Sequence, residues 1–190
     1  MNPTDRRLAI QIARQHLESN PVFLDTETTG IGPNAEVIEI ALIDSQGQLV
    51  LESLVKPHGR IESDACRVHG ISQEMVQSAP SWLEVWPQAE VVILDHPVGV
   101  YNSEFDLRLM KQTHKRNILD WHIPMERFFC IMKLYAQFEG VWDNRRRSYR
   151  WHSLEQAGRQ CRIPLSNTHH AQDDALLARA VLVHMANWKG

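Results

Sequence analysis

The segment from residue 22 to residue 56 constrains the fold most, because it contains three consecutive stretches with the composition of β-strands. Strands are predicted over Val22–Glu27, Glu36–Asp44 and Gln48–Lys56, and the turn signal Ser45-Gln46-Gly47 joins the last two as a hairpin. Strand and helix patterns alternate from there to a last predicted helix, Ala171–Trp188. This order predicts an α/β fold with a mixed sheet and helices packed on it.

Composition narrows the class of protein. Apolar residues make up 43% and charged residues 23% of the 190 residues, which is typical of one soluble globular domain and excludes collagen-like and disordered chains. No apolar run approaches about 18 residues and no signal-peptide pattern is present, so we expect no membrane contact. Three irregularly spaced cysteines exclude a disulfide framework and predict a cytoplasmic location. The net charge of −3 means that any contact with nucleic acid must be local.

Two units are predicted along the chain. Residues 1–20 have the spacing of an amphipathic helix that ends at Asn20-Pro21, and residues 21–190 form a single domain on which this helix packs. A helix that binds a partner is the alternative interpretation of the first unit.

The first chemical signal is Asp25-Thr26-Glu27. Alternate side chains of a strand project from the same face, so Asp25 and Glu27 lie together at the end of an apolar strand. Two neighbouring carboxylates repel each other and require a cation or a proton. Two acidic residues at this spacing, without further motifs, also fit a solvated strand end.

Two further acidic motifs follow. Asn102 comes directly after the apolar stretch 98–101 and is a candidate N-cap for a helix whose first turn carries Asp106. Near the end of the chain, Asp174 shares a helix face with apolar residues, whereas the face of Asp173 is mixed, so Asp174 is the better ligand candidate. His169 lies on the loop before that helix.

If the three motifs converge, their four carboxylates would balance two divalent cations. Oxygen ligands suit Mg²⁺ or Mn²⁺, and two such ions clamp the attacking and leaving oxygens of a phosphoryl displacement. A histidine beside them could take a proton from the attacking water.

The motifs FLDTETTG, YNSEFD and HHAQDD, in this order and spacing, resemble those of the DnaQ-like (DEDDh) 3′→5′ exonucleases. The resemblance covers about residues 22–185, and the step from His169 to Asp174 matches the family's H-x4-D pattern. Tyr101 departs from the residue that many members have before the asparagine, and the first helix precedes a motif that often begins the chain.

The resemblance implies an RNase H-like fold, a mixed sheet with helices on both sides, here with an extra N-terminal helix. It also implies a metal-dependent 3′→5′ exonuclease that releases nucleoside 5′-monophosphates by a two-metal mechanism. The resemblance assigns roles as follows: two Mg²⁺ or Mn²⁺ ions on Asp25, Glu27, Asp106 and Asp174, a general base in His169, and a terminal-nucleotide pocket with Thr28, His69 and Asn102.

The segment Gly140–Trp151 is a basic loop in which four arginines alternate with aromatic residues. Arginine neutralises phosphate and aromatic rings stack on unpaired bases, so Arg146 and Arg147 are predicted to bind the substrate strand. A solvated loop with buried aromatic rings is the alternative.

Other functions stay open at this point. A catalytically silent nucleic-acid-binding or assembly module would use the same fold, and an oligoribonuclease-like enzyme would act on very short RNA. A calcium-binding structural protein is disfavoured, because the carboxylates are scattered along the chain instead of forming one loop. The expected partner is a single-stranded DNA or RNA 3′ end, and a homodimer and a polymerase or repair partner both stay open.

Overall fold

The computed structural model of the protein describes residues 3–189. Both predicted units reach beyond this range, because Met1, Asn2 and Gly190 lie outside the described residues. Within 3–189, no helix combines the length and the apolar character needed to cross a membrane.

Five strands form the central sheet, in the spatial order β3-β2-β1-β4-β5. Their bounds are β1 Val22–Thr28, β2 Val37–Ile43, β3 Leu49–Leu54, β4 Val98–Val100 and β5 Phe128–Cys130. The first three strands are antiparallel neighbours, whereas β4 runs parallel to both β1 and β5. The predicted strands, the predicted hairpin and the mixed character of the sheet are therefore confirmed.

Eight helices surround the sheet in the described chain. They are α1 Pro3–Glu18, α2 Ser63–His69, α3 Gln73–Val76, α4 Trp82–Asp95, α5 Ser103–Arg116, α6 Ile131–Glu139, α7 Leu154–Gln160 and α8 Ala171–Ala186. A 3₁₀ turn spans Met125–Arg127, and a small hairpin consists of β6 Trp142–Asp143 and β7 Ser148–Tyr149. This hairpin lies in the segment that was predicted as a loop.

The alternation of side chains along β1 divides the core between the two faces of the sheet. Phe23 packs in the cluster with α1, α6, α7 and α8, whereas Val22 and Leu24 pack in the cluster with α4 and α5. Trp82 and Trp86 belong to the second cluster and are 1% and 4% exposed, so they are core residues. Helices on both faces match the predicted architecture.

Helix α1 packs on α8 and α6. Its contact face contains Ala9 and Ala13, both with no exposed surface, and small side chains at this spacing let two helices approach closely. The helix ends before Asn20, whose φ of +53° is left-handed.

The functional residues gather at one edge of the sheet. Strands β1, β4 and β5 are parallel, so their carboxyl ends meet at this edge, and α5 and α6 begin directly after β4 and β5. The beginning of α8 reaches the same edge, because the Ala171 N–H donates a hydrogen bond to Glu39 Oε2 on β2 at 2.8 Å.

Candidate active site

Strand β1 supplies two carboxylates at this edge. Asp25 and Glu27 are both half-buried, whereas Thr26 between them is 5% exposed and points to the opposite face. The side-chain carboxylates of Asp25 and Glu27 accept no hydrogen bond from any residue of the described range 3–189. Their charges are therefore not compensated by protein donors.

Asp106 comes from the first turn of α5 and is 4% exposed. The Thr26 hydroxyl donates a hydrogen bond to Asp106 Oδ1 at 2.8 Å, which fixes the carboxylate against β1. Burial raises the pKa of Asp106 to about 7, and the hydrogen bond from Thr26 opposes that rise. The predicted side-chain cap by Asn102 is absent: only its backbone carbonyl accepts hydrogen bonds from the first turn.

Asp174 comes from the first turn of α8 and is 5% exposed, on the buried face that the sequence predicts. The loop before α8 holds it, since Asn167 Nδ2 donates to Oδ2 at 2.6 Å and the Thr168 N–H donates to Oδ1 at 3.2 Å. Burial raises the pKa of Asp174 to about 6, whereas the nearby His169 lowers it.

The two neighbouring histidines reach different carboxylates. His169 has a left-handed φ of +57°, and its Nδ1 lies 4.0 Å from Asp174 Oδ2. His170 is extended, and its Nδ1 lies 3.8 Å from Glu39 Oε1. The change of backbone conformation between the two residues turns only His169 toward the predicted ligand.

The carboxylates are close enough to perturb one another. The pKa of Asp25 lies well above its usual range, first because of burial and then because of the charges on Asp106, Glu27 and Asp174. The pKa of Glu27 rises to about 9, again mainly through burial and then through Asp174. The structure therefore brings the four predicted ligands and His169 into one acidic cluster.

This cluster fits a bound cation. Glu27, His169 and Asp174 can each place one ligand atom within 4.8 Å of the others. Asp25 adds further carboxylate oxygens to the cluster, and no group within residues 3–189 donates a hydrogen bond to them. Uncompensated buried carboxylates favour ligands of positive charge, and oxygen-rich sites favour hard divalent ions.

Sequence reasoning missed Glu39, which lies opposite Glu27 in the register of β1 and β2. It is 7% exposed, its own pKa is raised mainly by burial, and it raises the pKa of Glu27. Because its carboxylate accepts the Ala171 N–H, it also fixes the first residue of α8. A charged residue inside the otherwise apolar run 37–43 was the available signal.

A pocket of about 290 Å³, here called the side pocket, adjoins the acidic cluster through Glu27 and is also lined by Thr28, Ile31, His69 and Phe105. Its wall is internally bonded. The Ile71 N–H donates to His69 Nδ1 at 3.0 Å, so Nε2 carries the proton and donates to the Thr28 carbonyl at 3.2 Å. Burial lowers the pKa of His69 and so favours this neutral form.

Two of the predicted substrate residues, Thr28 and Asn102, differ in whether their side chains form a hydrogen bond. The Thr28 hydroxyl donates to the Gly30 carbonyl at 2.8 Å and shapes the turn after β1. Asn102 does not line the side pocket. It follows β4, and its side chain has no hydrogen-bond partner within residues 3–189, so its amide is available to a ligand.

The basic hairpin consists of β6, β7 and the turn between them, residues 142–149. Arg146 and Arg147 are exposed at its tip, where Arg146 Nε lies 4.0 Å from Asp143 Oδ2. Trp142 in the hairpin and Trp151, two residues after it, are 52% and 45% exposed. The alternative of a solvated loop with buried aromatic rings is therefore wrong for these two tryptophans.

Two tyrosines anchor the hairpin. The Tyr149 hydroxyl donates to the carboxylate of Asp5 on α1. The single proton of the Tyr101 hydroxyl is shared between the carbonyls of His152 at 3.0 Å and Ser153 at 3.1 Å, so the residues that follow the segment Gly140–Trp151 are tied to the residue before Asn102. The departure at Tyr101 thus has a structural role.

The exonuclease model RNase_T matches residues 22–182, which include the whole acidic cluster and the side pocket. The chain belongs to the DnaQ-like exonuclease family. An uncharacterized exonuclease of Escherichia phage 186, CP81, is 40% identical over 151 residues, which are 77% of this chain and 77% of that protein.

Solved exonuclease structures share the fold. Exonuclease X in complex with 5′-overhanging duplex DNA has a TM-score of 0.64 at 24% identity and covers 88% of this chain and 93% of that one. The zinc-bound complex of E. coli exonuclease I with single-stranded DNA has a TM-score of 0.69 at 18% identity and covers 85% of this chain and 39% of that one. The expected RNase H-like architecture is confirmed.

Proposed function

We propose that this exonuclease is divalent-metal-dependent and degrades nucleic acid from the 3′ end, releasing nucleoside 5′-monophosphates. The observation that carries the proposal is the pair Asp25 and Glu27. These carboxylates accept no hydrogen bond from residues 3–189 and lie beside two further carboxylates that are buried, Asp106 and Asp174. Such a concentration of negative charge is costly unless the site binds cations.

Two Mg²⁺ or Mn²⁺ ions would be held by Asp25, Glu27, Asp106 and Asp174. When bound, they would supply the positive charge that activates water and stabilises the charge developing on the scissile phosphate. The protein keeps this geometry through its own bonds, because Thr26 fixes Asp106 and the Asn167–Thr168 loop fixes Asp174.

His169 would accept the proton from the attacking water. Its side chain is 47% exposed, so a proton can pass to solvent after each turnover, and its ring lies beside Asp174. His169 has a left-handed backbone conformation and lies in the loop before α8, not inside the helix.

The side pocket would hold the terminal nucleotide against Thr28 and His69, with Asn102 close to the reacting phosphate. The exposed Arg146 and Arg147 would contact the strand farther from the chemistry, with Trp142 and Trp151 available for stacking. Replacing both arginines by alanine is expected to raise KM more than it lowers kcat and to flatten the salt dependence of binding.

The direction of attack is tested with DNA and RNA oligomers that carry a label at either end, incubated with the purified protein and Mn²⁺. Attack from the 3′ end converts a 3′-labelled oligomer directly into labelled mononucleotide and a 5′-labelled one into a ladder. Chelator should stop both reactions. The reverse pattern would exclude 3′→5′ polarity, and binding without hydrolysis in any metal would support the silent module instead.

The same gels compare substrates. Oligomers of two to about twenty nucleotides, offered as DNA and as RNA, show whether very short RNA is preferred, as in an oligoribonuclease-like enzyme. Asp25→Asn serves as the control, because it keeps the shape of the side chain and removes one ligand charge.

A further inference from the structure

A second concave surface runs along the outer side of α5. It is a cleft of about 640 Å³ between α5, the Met125–Arg127 turn and the first turn of α6. We call it the α5 cleft. Its charged lining residues are Glu104, Arg108, Lys111, Lys115 and Lys133.

Three of these cations form a row on one helix face. Arg108, Lys111 and Lys115 are separated by steps of three and four residues, which place side chains on the same side of a helix. At a rise of 1.5 Å per residue, the row extends about 10 Å along the axis. A stacked nucleic-acid strand rises about 3.4 Å per phosphate, so the row matches about three phosphates.

The row lacks acidic partners. Glu104, the only acidic residue lining the described part of the cleft, pairs with Lys133 at 2.5 Å. Arg108, Lys111 and Lys115 form no ion pair with any residue in the range 3–189. A local excess of positive charge on a chain of net charge −3 favours a polyanionic ligand over a general role in solubility.

The α5 cleft adjoins the side pocket. The Arg108 guanidinium lies 5.3 Å from the centre of the Phe105 ring and donates to the Ile31 carbonyl at 3.3 Å. Phe105 and Ile31 both line the side pocket. A strand with its terminal nucleotide in that pocket therefore meets Arg108 first and the two lysines next.

We propose that the α5 cleft binds the sugar–phosphate backbone of the substrate strand, on the 5′ side of the nucleotide being removed. The proposal rests on the proposed function for the identity of the strand, and on the charge row and its continuity with the side pocket for the path. Because the cleft offers cations and few groups suited to base recognition, binding there should be independent of sequence.

Binding is tested without catalysis, by fluorescence anisotropy of a labelled single-stranded 20-mer in chelator. Lys111→Gln/Lys115→Gln is expected to raise Kd about tenfold at low salt and to reduce the salt slope by about 1.4, the share of two phosphate contacts on a single strand. Arg7→Gln/Arg159→Gln removes the same charge from exposed positions on α1 and α7 and should change neither value appreciably. Lys111→Arg/Lys115→Arg should restore wild-type binding. Equal Kd and slope in the glutamine and control variants would overturn the proposal.

Hydrolysis separates this proposal from the proposed function. The p-nitrophenyl ester of thymidine 5′-monophosphate is too short to enter the cleft and serves as the reference substrate. We expect the glutamine variant to lose about tenfold more kcat/KM on the 20-mer than on the ester. A wild-type protein inactive on both substrates would contradict the proposed function, while the anisotropy would still test the cleft. A loss confined to a duplex with a recessed 3′ end would assign the cleft to the complementary strand and overturn the proposal.

Discussion

Two sets of carboxylates in this molecule, Glu36 on its own and the half-buried pair Asp25 and Glu27, have opposite surroundings. Glu36, just before β2, is 1% exposed, and its oxygens accept the Gly59 N–H at 2.8 Å and the His58 N–H at 3.2 Å. Arg116 Nε lies 3.3 Å from it. Within residues 3–189, no group donates a hydrogen bond to the carboxylates of Asp25 and Glu27, and no basic side chain forms an ion pair with them.

The difference separates structural from functional acidity. A carboxylate whose charge is compensated by N–H donors and a guanidinium stabilises the fold. A carboxylate that is surrounded by other carboxylates favours the binding of a cation. Counting acidic residues would not distinguish the two sets. Counting their partners does.

The largest expected difference is in activity. Asp25→Asn should lower kcat by about 10³-fold, because it removes a charge that holds the cations. Glu36→Gln should change kcat by less than about threefold, because within residues 3–189 the bonds of the Glu36 carboxylate go to His58, Gly59 and Arg116, none of which belongs to the acidic cluster. The measurement is the rate of mononucleotide release at saturating Mn²⁺. Retention of a tenth or more of the wild-type rate by Asp25→Asn would remove the basis of the comparison.

The histidines beside the two sets should differ in the same way. His169→Ala is expected to lower kcat by about 10²–10⁴-fold, the range for loss of a general base. His58→Ala, which removes the ring 3.0 Å from Glu36, should leave kcat close to wild type. Thermal stabilisation by Mn²⁺ should survive in His169→Ala, which distinguishes loss of the base from loss of the metal.

His170→Ala is the matched control, since His170 faces Glu39 instead of Asp174. We expect a much smaller effect than for His169→Ala. An inactive His170→Ala beside a nearly normal His169→Ala would falsify the assignment of the base and shift the motif by one residue.

The variants Glu36→Gln and Asp25→Asn should also differ in their effect on the free energy of unfolding. In chelator, Glu36→Gln is expected to lower the free energy of unfolding by about 1–3 kcal/mol, because an amide cannot replace a carboxylate toward Arg116 and the two N–H donors. Asp25→Asn should leave the free energy unchanged or raise it by about 1 kcal/mol, because it loses no donor and relieves repulsion. Urea unfolding of both variants decides, and a destabilised Asp25→Asn would show that donors or ions already compensate that site.

The sequence predicts the acidic cluster in this comparison but not the compensated charge of Glu36. The acidic motifs could be placed because alternation along β1 and the helical step to Asp106 are local properties. Glu39 was missed because its position opposite Glu27 depends on the register between two strands. The partners of Glu36 come from Arg116 and from a loop, so no local pattern indicates that its charge is compensated.

The same limit explains the basic surfaces. The high arginine content of the segment Gly140–Trp151 predicts that Arg146 and Arg147 bind the strand. The two short strands that make this segment a hairpin are not predicted by its composition. In the sequence, other residues of α5 separate Arg108, Lys111 and Lys115, so no basic cluster is evident. In the fold, these three side chains line one cleft together with Met125 and Lys133.

The smallest expected effect is a pH dependence of stability in which the part that Mn²⁺ removes comes from the acidic cluster. Glu27 has a pKa of about 9 and Asp106 one of about 7 in the folded, metal-free protein, whereas carboxyl groups of the unfolded chain release their protons near pH 4. Between pH 7 and 8.5 the folded state alone releases these protons, so its stability falls as pH rises. The buried histidines have lowered pKa values and oppose this trend only below that window. We expect the midpoint of thermal unfolding to fall by about 4 °C, equivalent to roughly 1–2 kcal/mol.

Mn²⁺ should flatten the slope of this midpoint against pH, since cations replace the protons, and Glu27→Gln should reduce the slope. Glu36→Gln should keep the wild-type slope on a lower baseline. The raised pKa of Cys161, about 11, adds a slope of the same sign, but equally in every variant and with or without metal. A slope that neither Mn²⁺ nor Glu27→Gln changes would therefore assign the pH dependence to groups outside the acidic cluster.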